Sequence, residues 1–351
     1  MIFNFINSFA AEEKRLNFVD TISTQQQLGL SFHVVERGNI YTTVMELLSN
    51  DEVLAEFPLR IKFAGELAFD SGGVCRDMFS AYWEEAYKHF FDGSSLLTPV
   101  LHPHVDMSVL PQVGAVLSHG YLACGFLPTR ITFPALACIL LGPTIEVPSE
   151  IQVEAFADSL SSFEASVIKE ALDSTNSAYS EEMKTSLISI LSRFGCRVCP
   201  TPQTMESQLT SIAKYEFQVK PMAALCAISS GIPSREKPFW QSYSIQELYS
   251  VYLALCATPA KVLAILEEPE QVNLCQLRVM GYLQQFVGNM KNEEVRRFLR
   301  FTTGSSVLVV NRISVTFNNL SGLARRPIAH TCGSVLELPS TYVSYIEFEQ
   351  V

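Results

Sequence analysis

The chain has 351 residues, room for two domains at about 150 residues each and for a core that buries about three quarters of the unfolded surface. A composition that is 48% hydrophobic and 17% charged excludes a disordered tail protein. A net charge of −11, with no basic block of about five or more residues, argues against an electrostatic grip on nucleic-acid phosphates.

No apolar run approaches the 18 or more residues of a membrane-spanning helix. The most apolar stretch, 133–141, contains Pro134 and ends at Gly142, so no membrane partner is expected. The opening MIFNFINSFAAEEK lacks a positively charged segment ahead of its apolar residues and is read as a helix start. Nine cysteines are scattered along the chain, and Cys138, Cys226 and Cys256 lie inside apolar patterns. Such a set fits the reducing cytoplasm or nucleus better than a disulfide framework.

In chain order, the apolar spacing of Val44, Leu47, Leu48 and Leu54 predicts a helix over 43–54. The alternation of Leu59, Ile61 and Phe63 with Arg60 and Lys62 predicts a half-buried strand. A glycine-rich turn, 65–73, leads into a helix with Met78, Phe79, Tyr82, Trp83, Ala86 and Tyr87 on its apolar face, ending near Asp92 and Gly93. Further on, Ser161 with Glu164 forms a capping box, and Ser180 starts a helix that Gly195 closes.

The acidic, proline-containing stretch 266–275 reads as a linker. A helical stripe through Leu277, Met280, Leu283, Phe286, Val287 and Met290 follows, then a second helix expected to be capped by Asn292. Beyond it the period shortens to two, at Ile313, Val315 and Phe317 and again at Leu336 and Leu338. The expected fold class is therefore α+β: a mostly helical body followed by a small mixed α/β unit.

Several motifs point to little chemistry. Cys196 and Cys199 have C-x-x-C spacing but no second ligand pair, and they end a helix instead of opening a βαβ unit. His102, His104 and His119 lack a carboxylate cluster, so no metal is expected. The glycines from Gly65 to Gly73 match neither a phosphate loop nor a dinucleotide fingerprint, so no cofactor is expected. Cys332 stands apart. It lies in a loop between two strand patterns, two residues after His330 and near Arg325 and Arg326. Such neighbours favour thiolate over thiol, although idle loop cysteines also have them.

Four stretches resemble the HECT domain, the catalytic module of one class of ubiquitin-protein ligases, along nearly the whole chain. They are IKFAGELAFDSGGV at 61–74 with the following CRDMFSAYW, GAVLSHGYLACGFLP at 114–128 with FPALACILLG, RFLRFTTGSS at 297–306, and PIAHTC at 327–332. The resemblance implies a bilobal fold: a mostly helical N-lobe with small β elements over 1–268, a hinge at 269–275 and a C-lobe over 276–351. A helical subdomain of the N-lobe, roughly 150–225, would bind the conjugating enzyme. Cys332 would be the nucleophile that carries ubiquitin as a thioester, with His330 in a supporting role. The implied partners are ubiquitin, a ubiquitin-conjugating enzyme and a protein substrate. Gly333 stands where the family usually has Phe, and the chain ends at Val351 where the family continues into a longer tail, so the C-lobe is expected to be truncated. These departures leave a catalytically silent scaffold as the alternative, with a cysteine hydrolase using Cys332 and His330 as a remote third.

Overall fold

The computed structural model describes residues 2–23, 32–66, 72–100, 106–174 and 178–350. Helices dominate and short strands form small sheets, the α+β class that the sequence predicts. The chain divides into two compact units, one within Met1–Glu84, Gly120–Leu127 and Leu253–Val351, the other within Glu85–His119 and Pro128–Tyr252. No single helix among the described residues is long and apolar enough to cross a membrane.

The first unit opens with α1 (Ile2–Ile22), β1 (His33–Val35), α2 (Ile40–Leu47) and β2 (Ile61–Phe63), with β1 and β2 paired in parallel. Ile61 and Phe63 are buried and Lys62 is exposed, the alternation that a one-sided strand requires. Helix α2 stops short of the expected 43–54, and only a 3₁₀ turn, Val53–Ala55, follows. The Asn50 side chain accepts from the Glu52 amide at 2.9 Å, a local bond that competes with helical pairing. Helix α3 (Gly73–Phe90) then buries Met78, Phe79, Tyr82 and Trp83.

In the second unit β3 (Phe91–Gly93) and β4 (Leu97–Pro99) form a hairpin, followed by α4 (Leu110–Cys124) and α5 (Phe133–Leu141). Every residue of α5 from Phe133 to Leu140 is buried, which is why its sequence is apolar on all sides. Helices α6 (Ser149–Ser159), α7 (Ser162–Asp173), α8 (Glu181–Ser192) and α9 (Met205–Lys214) share one apolar cluster around Phe156, Ile168, Leu187, Met205 and Leu209. This cluster falls within 150–225. The Ser161–Glu164 capping box is present as expected, and Ser180 caps α8. Helices α10 (Met222–Ser230), α11 (Lys237–Gln241) and α12 (Ile245–Leu255) follow.

The chain returns to the first unit through α13 (Pro259–Ile265) and β5 (Leu266–Glu267). An irregular stretch, 268–273, precedes α14 (Leu274–Gly288), α15 (Asn292–Thr303), β6 (Ile313–Asn318), β7 (Ile328–His330), β8 (Val335–Pro339) and α16 (Tyr345–Glu349). The strands form one sheet in the order β5-β6-β8-β7, in which only the β7–β8 pair is antiparallel. Ile313, Val315, Leu336 and Leu338 bury one face of it against Val279, Leu283, Val295 and Leu299 of α14 and α15.

Two further details differ from the sequence reading. Leu266 and Glu267, read as linker, pair with Ile313 and Ser314. Asn292 is the first residue of α15, not its cap. The cap is Lys291, whose amide donates to the Glu294 carboxylate at 2.7 Å, so Glu294 satisfies that N–H from inside the helix.

Candidate active site

Cys332 is the second residue of a four-residue turn, 331–334, that joins β7 to β8. Alternation along β8 sends Leu336 and Leu338 into the core, and this fixes the hairpin register of His330 against Val335 and Ile328 against Glu337. The Gly333 amide donates to the His330 carbonyl at 3.1 Å, and the Ser334 amide to that of Thr331 at 3.4 Å. Ser334 is buried and left-handed, with φ 50°, a conformation that costs a non-glycine residue about 1–2 kcal/mol. Its carbonyl accepts from the Ser314 amide at 3.0 Å, which holds the turn to β6. Cys332 itself is exposed, as a turn residue is expected to be.

His330 ends β7, and its Nε2 lies 3.3 Å from Oε2 of Glu337 on β8. That carboxylate also accepts from the Asn318 amide nitrogen at 2.8 Å. The Asn318 bond, and after it the His330 bond, hold the Glu337 carboxyl below its ordinary range. The ring thus anchors the hairpin. Arg325 is also engaged: its guanidinium pairs with Glu347 of α16 and lies 4.8 Å from the Tyr342 ring centroid. Arg326 is exposed.

On its other side the turn meets the start of α3. A side chain at Gly73 would bring a Cβ within 2.9 Å of the Cys332 amide nitrogen and of Thr331 Oγ1, so only glycine permits this approach. Arg76, one turn along, donates from Nη2 to the Thr331 carbonyl and from Nε to the Thr303 carbonyl, each at 2.9 Å. Ser80, a further turn on, donates to the Gly304 carbonyl at 3.1 Å and accepts from the Ser306 amide at 3.0 Å. Asp77 pairs with Arg300 at 2.9 Å and with Arg37 at 2.7 Å. Beside these contacts opens a cleft of about 460 Å³ lined by Arg37, Phe63, Asp77, Arg297 and Phe301, with Thr331 on its wall.

The sequence reading singled out Cys332 and His330 but not Gly73, Arg76, Asp77 or Ser80. All four lie in the stretches that carry the family resemblance, so the available signal was their place in that motif. Elsewhere, His119 is buried with its Nδ1 3.4 Å from Glu236, and His102 and His104 lie outside the described residues. Cys196 and Cys199 follow the end of α8 as expected. Among the described residues no group of three or more His, Cys, Asp or Glu is placed to hold a metal ion, and the nine cysteines all stand as thiols.

An exposed thiol on a braced turn can be reached by a second macromolecule and can attack a thioester or other activated acyl group. Residues 266–350 match the model of the HECT-domain (ubiquitin-transferase) family. The match begins where β5 begins and takes in the linker, α14, α15, the hairpin and Cys332. No curated protein matches the chain.

Proposed function

We propose that this protein is a HECT-type ubiquitin-protein ligase that accepts ubiquitin from a conjugating enzyme as a thioester on Cys332 and passes it to a lysine of a substrate. The observation that carries the reading is an exposed His-Thr-Cys turn within the segment that matches the ubiquitin-transferase family.

The chemistry needs neither metal nor cofactor at this turn. The Cys332 thiolate attacks the carbonyl carbon of the donor thioester, and the tetrahedral adduct collapses with loss of the conjugating enzyme's thiolate. One thioester forms as one breaks, so the step is nearly isoenergetic and depends on bringing the atoms within about 3–3.5 Å. A neutral lysine amine then attacks the new thioester. The nitrogen loses a proton to water or a nearby base, Cys332 leaves as thiolate, and an isopeptide remains.

The exposure of the turn supports docking of a large donor. The α6–α9 cluster, with Phe163 exposed at 71% on α7, supports a separate helical site for the conjugating enzyme. The irregular stretch 268–273 supports a hinge there. The nine thiols support a reducing compartment, cytoplasm or nucleus.

The test is to incubate the chain with a panel of ubiquitin-charged conjugating enzymes and resolve the products without reductant. A ubiquitin adduct that thiols remove and Cys332→Ala abolishes is the expected result. Failure of the whole panel, including with a chain extended at its C-terminus, defeats it. The scaffold reading, favoured by Gly333 in place of the family's Phe, predicts binding of a conjugating enzyme without any adduct.

A further inference from the structure

We infer that Arg76 is a positioning residue for Cys332: from α3 it ties the carbonyl that precedes the nucleophile to the carbonyl that ends α15, and so presents the thiol in one fixed turn. The inference rests on the assignment of Cys332 as the nucleophile.

The geometry is particular to arginine. Nε and Nη2 form one edge of the planar guanidinium, and that edge meets two carbonyls far apart in sequence, Thr303 and Thr331, at 2.9 Å each. Charge-assisted bonds to a part-buried cation are about twice as strong as neutral ones. A lysine carries its charge on a single nitrogen and cannot reproduce a two-pronged edge.

The surroundings hold the fork in place. Gly72 has φ 101°, a conformation that favours glycine, and a Cβ there would lie in ordinary van der Waals contact with Arg76 Nη1 at 3.4 Å. Ser80 makes a second tie from the same face of α3 to Gly304 and Ser306. Gly304 is left-handed at φ 78°, and a Cβ on it would fall 2.4 Å from the Gly73 carbonyl oxygen. The T-G-S turn, the start of α3 and the turn that carries Cys332 are therefore packed backbone against backbone, and the Arg76 side chain bonds to both turns. Thr331 uses its carbonyl for Arg76 and for the Ser334 amide. This orients the peptide that leads into Cys332 while its side chain stays exposed.

The test uses the full chain with Arg76→Ala and Arg76→Lys, each checked for an unchanged melting profile. Single-turnover loading of ubiquitin is measured against the concentration of charged conjugating enzyme. Amide exchange over 328–336 and the rate of iodoacetamide capture at Cys332, read by peptide mass spectrometry, are followed in parallel.

Positioning predicts that both variants load ubiquitin about tenfold more slowly at saturation. The half-saturating concentration stays unchanged, the turn amides exchange faster, and lysine gives no rescue. Wild-type loading rates in both variants overturn it, as does full rescue by lysine. If the wild type loads no ubiquitin, the ligase reading fails on its own. Exchange and capture then decide the matter: faster exchange with altered capture in both variants upholds the positioning role, and unchanged values refute it. Should Arg76→Ala not fold, Arg76→Lys carries the same comparison.

Discussion

Arg300, in the last turn of α15, donates from Nε to the carboxylate of Asp77 on α3 at 2.9 Å. Asp77 also receives Arg37 at 2.7 Å, and its side chain is only 20% exposed. One carboxylate is thus shared by two guanidiniums beside the cleft, and Arg37 also pairs with Glu66. Replacing it by an amide removes the carboxylate charge beside Arg300 and leaves one hydrogen-bonding oxygen fewer. Asp77→Asn should lower stability by about 1–2 kcal/mol, since the pairs are partly solvent-screened. Urea unfolding at low and high salt checks this, and the deficit should shrink as salt rises.

A second network is wholly buried. Trp240 Nε1 donates to Ser118 Oγ at 2.7 Å, and Ser118 donates to Glu236 at 2.5 Å. Glu236 and His119 are both fully buried. Ser118→Ala strands a donor and an acceptor at once and should cost about 2–4 kcal/mol. Glu236→Ala leaves a larger hole and should cost about 3–5 kcal/mol. The check is thermal unfolding, with Trp fluorescence reporting the loss of the indole bond.

Gly114 and Gly231 mark a close crossing in the second unit. A Cβ on Gly114 would stand 1.9 Å from the Ile228 carbonyl oxygen, and one on Gly231 would stand 1.7 Å from that of Pro111. Both obstacles are backbone, which cannot rotate away as a side-chain end can. Gly114→Ala should therefore destabilise by more than about 3 kcal/mol, despite the better helix propensity of alanine. Soluble yield and melting temperature report the effect, and Gly281→Ala, with nothing within 4 Å of the added atom, serves as the helical control.

The Glu337 carboxyl gives the hairpin that carries Cys332 an acid sensitivity of defined sign. Its folded pKa lies below the unfolded value, with the Asn318 bond the largest cause and the His330 bond next. Its contribution is therefore present when pH is above the ordinary carboxylate pKa of about 4.3, and it is lost as pH falls through the lowered folded value. Amide protection factors in β7 and β8, taken relative to the intrinsic rate at each pH, should fall on acidification in the wild type. Glu337→Gln should show the lower protection already at neutral pH and a flatter response to acid.

The space beside Gly333 is only loosely filled. A Cβ there would contact Val335 Cγ2 at 3.4 Å, and the glycine is not left-handed. Gly333→Ala should thus be accommodated and should raise stability by about 0.4–1 kcal/mol through the unfolded chain. Unfolding in denaturant measures the gain, and a loss of stability would show that the turn needs a conformation that alanine cannot adopt.

Much of this was legible in the sequence because local rules governed it. Ile61 and Phe63 alternate with Lys62, Ser161 and Glu164 cap each other, and Ile313 and Val315 face the core as their period of two requires. Cys332 stood out for the same reason, since the His-Thr-Cys sequence sits between two strand patterns. What escaped is non-local. Nothing near Arg76 in the sequence shows that its partners are the carbonyls of Thr303 and Thr331. Nothing near His330 points to Glu337 until the hairpin register is known. Leu266 and Glu267 look like linker because the strand that accepts them, β6, begins only at Ile313.

The cluster that β6, β8, α14 and α15 enclose also contains Ala257, Val262 and Ile265, which precede the irregular 268–273 stretch. A boundary for dissecting the molecule, by protease or by recombination between relatives, therefore belongs ahead of Ala257 and not at the proline of the acidic stretch. A cut at Pro269 would strip an edge strand and a helix from the piece that bears Cys332. As a matter of packing, the building block is longer than the segment that matches the family model.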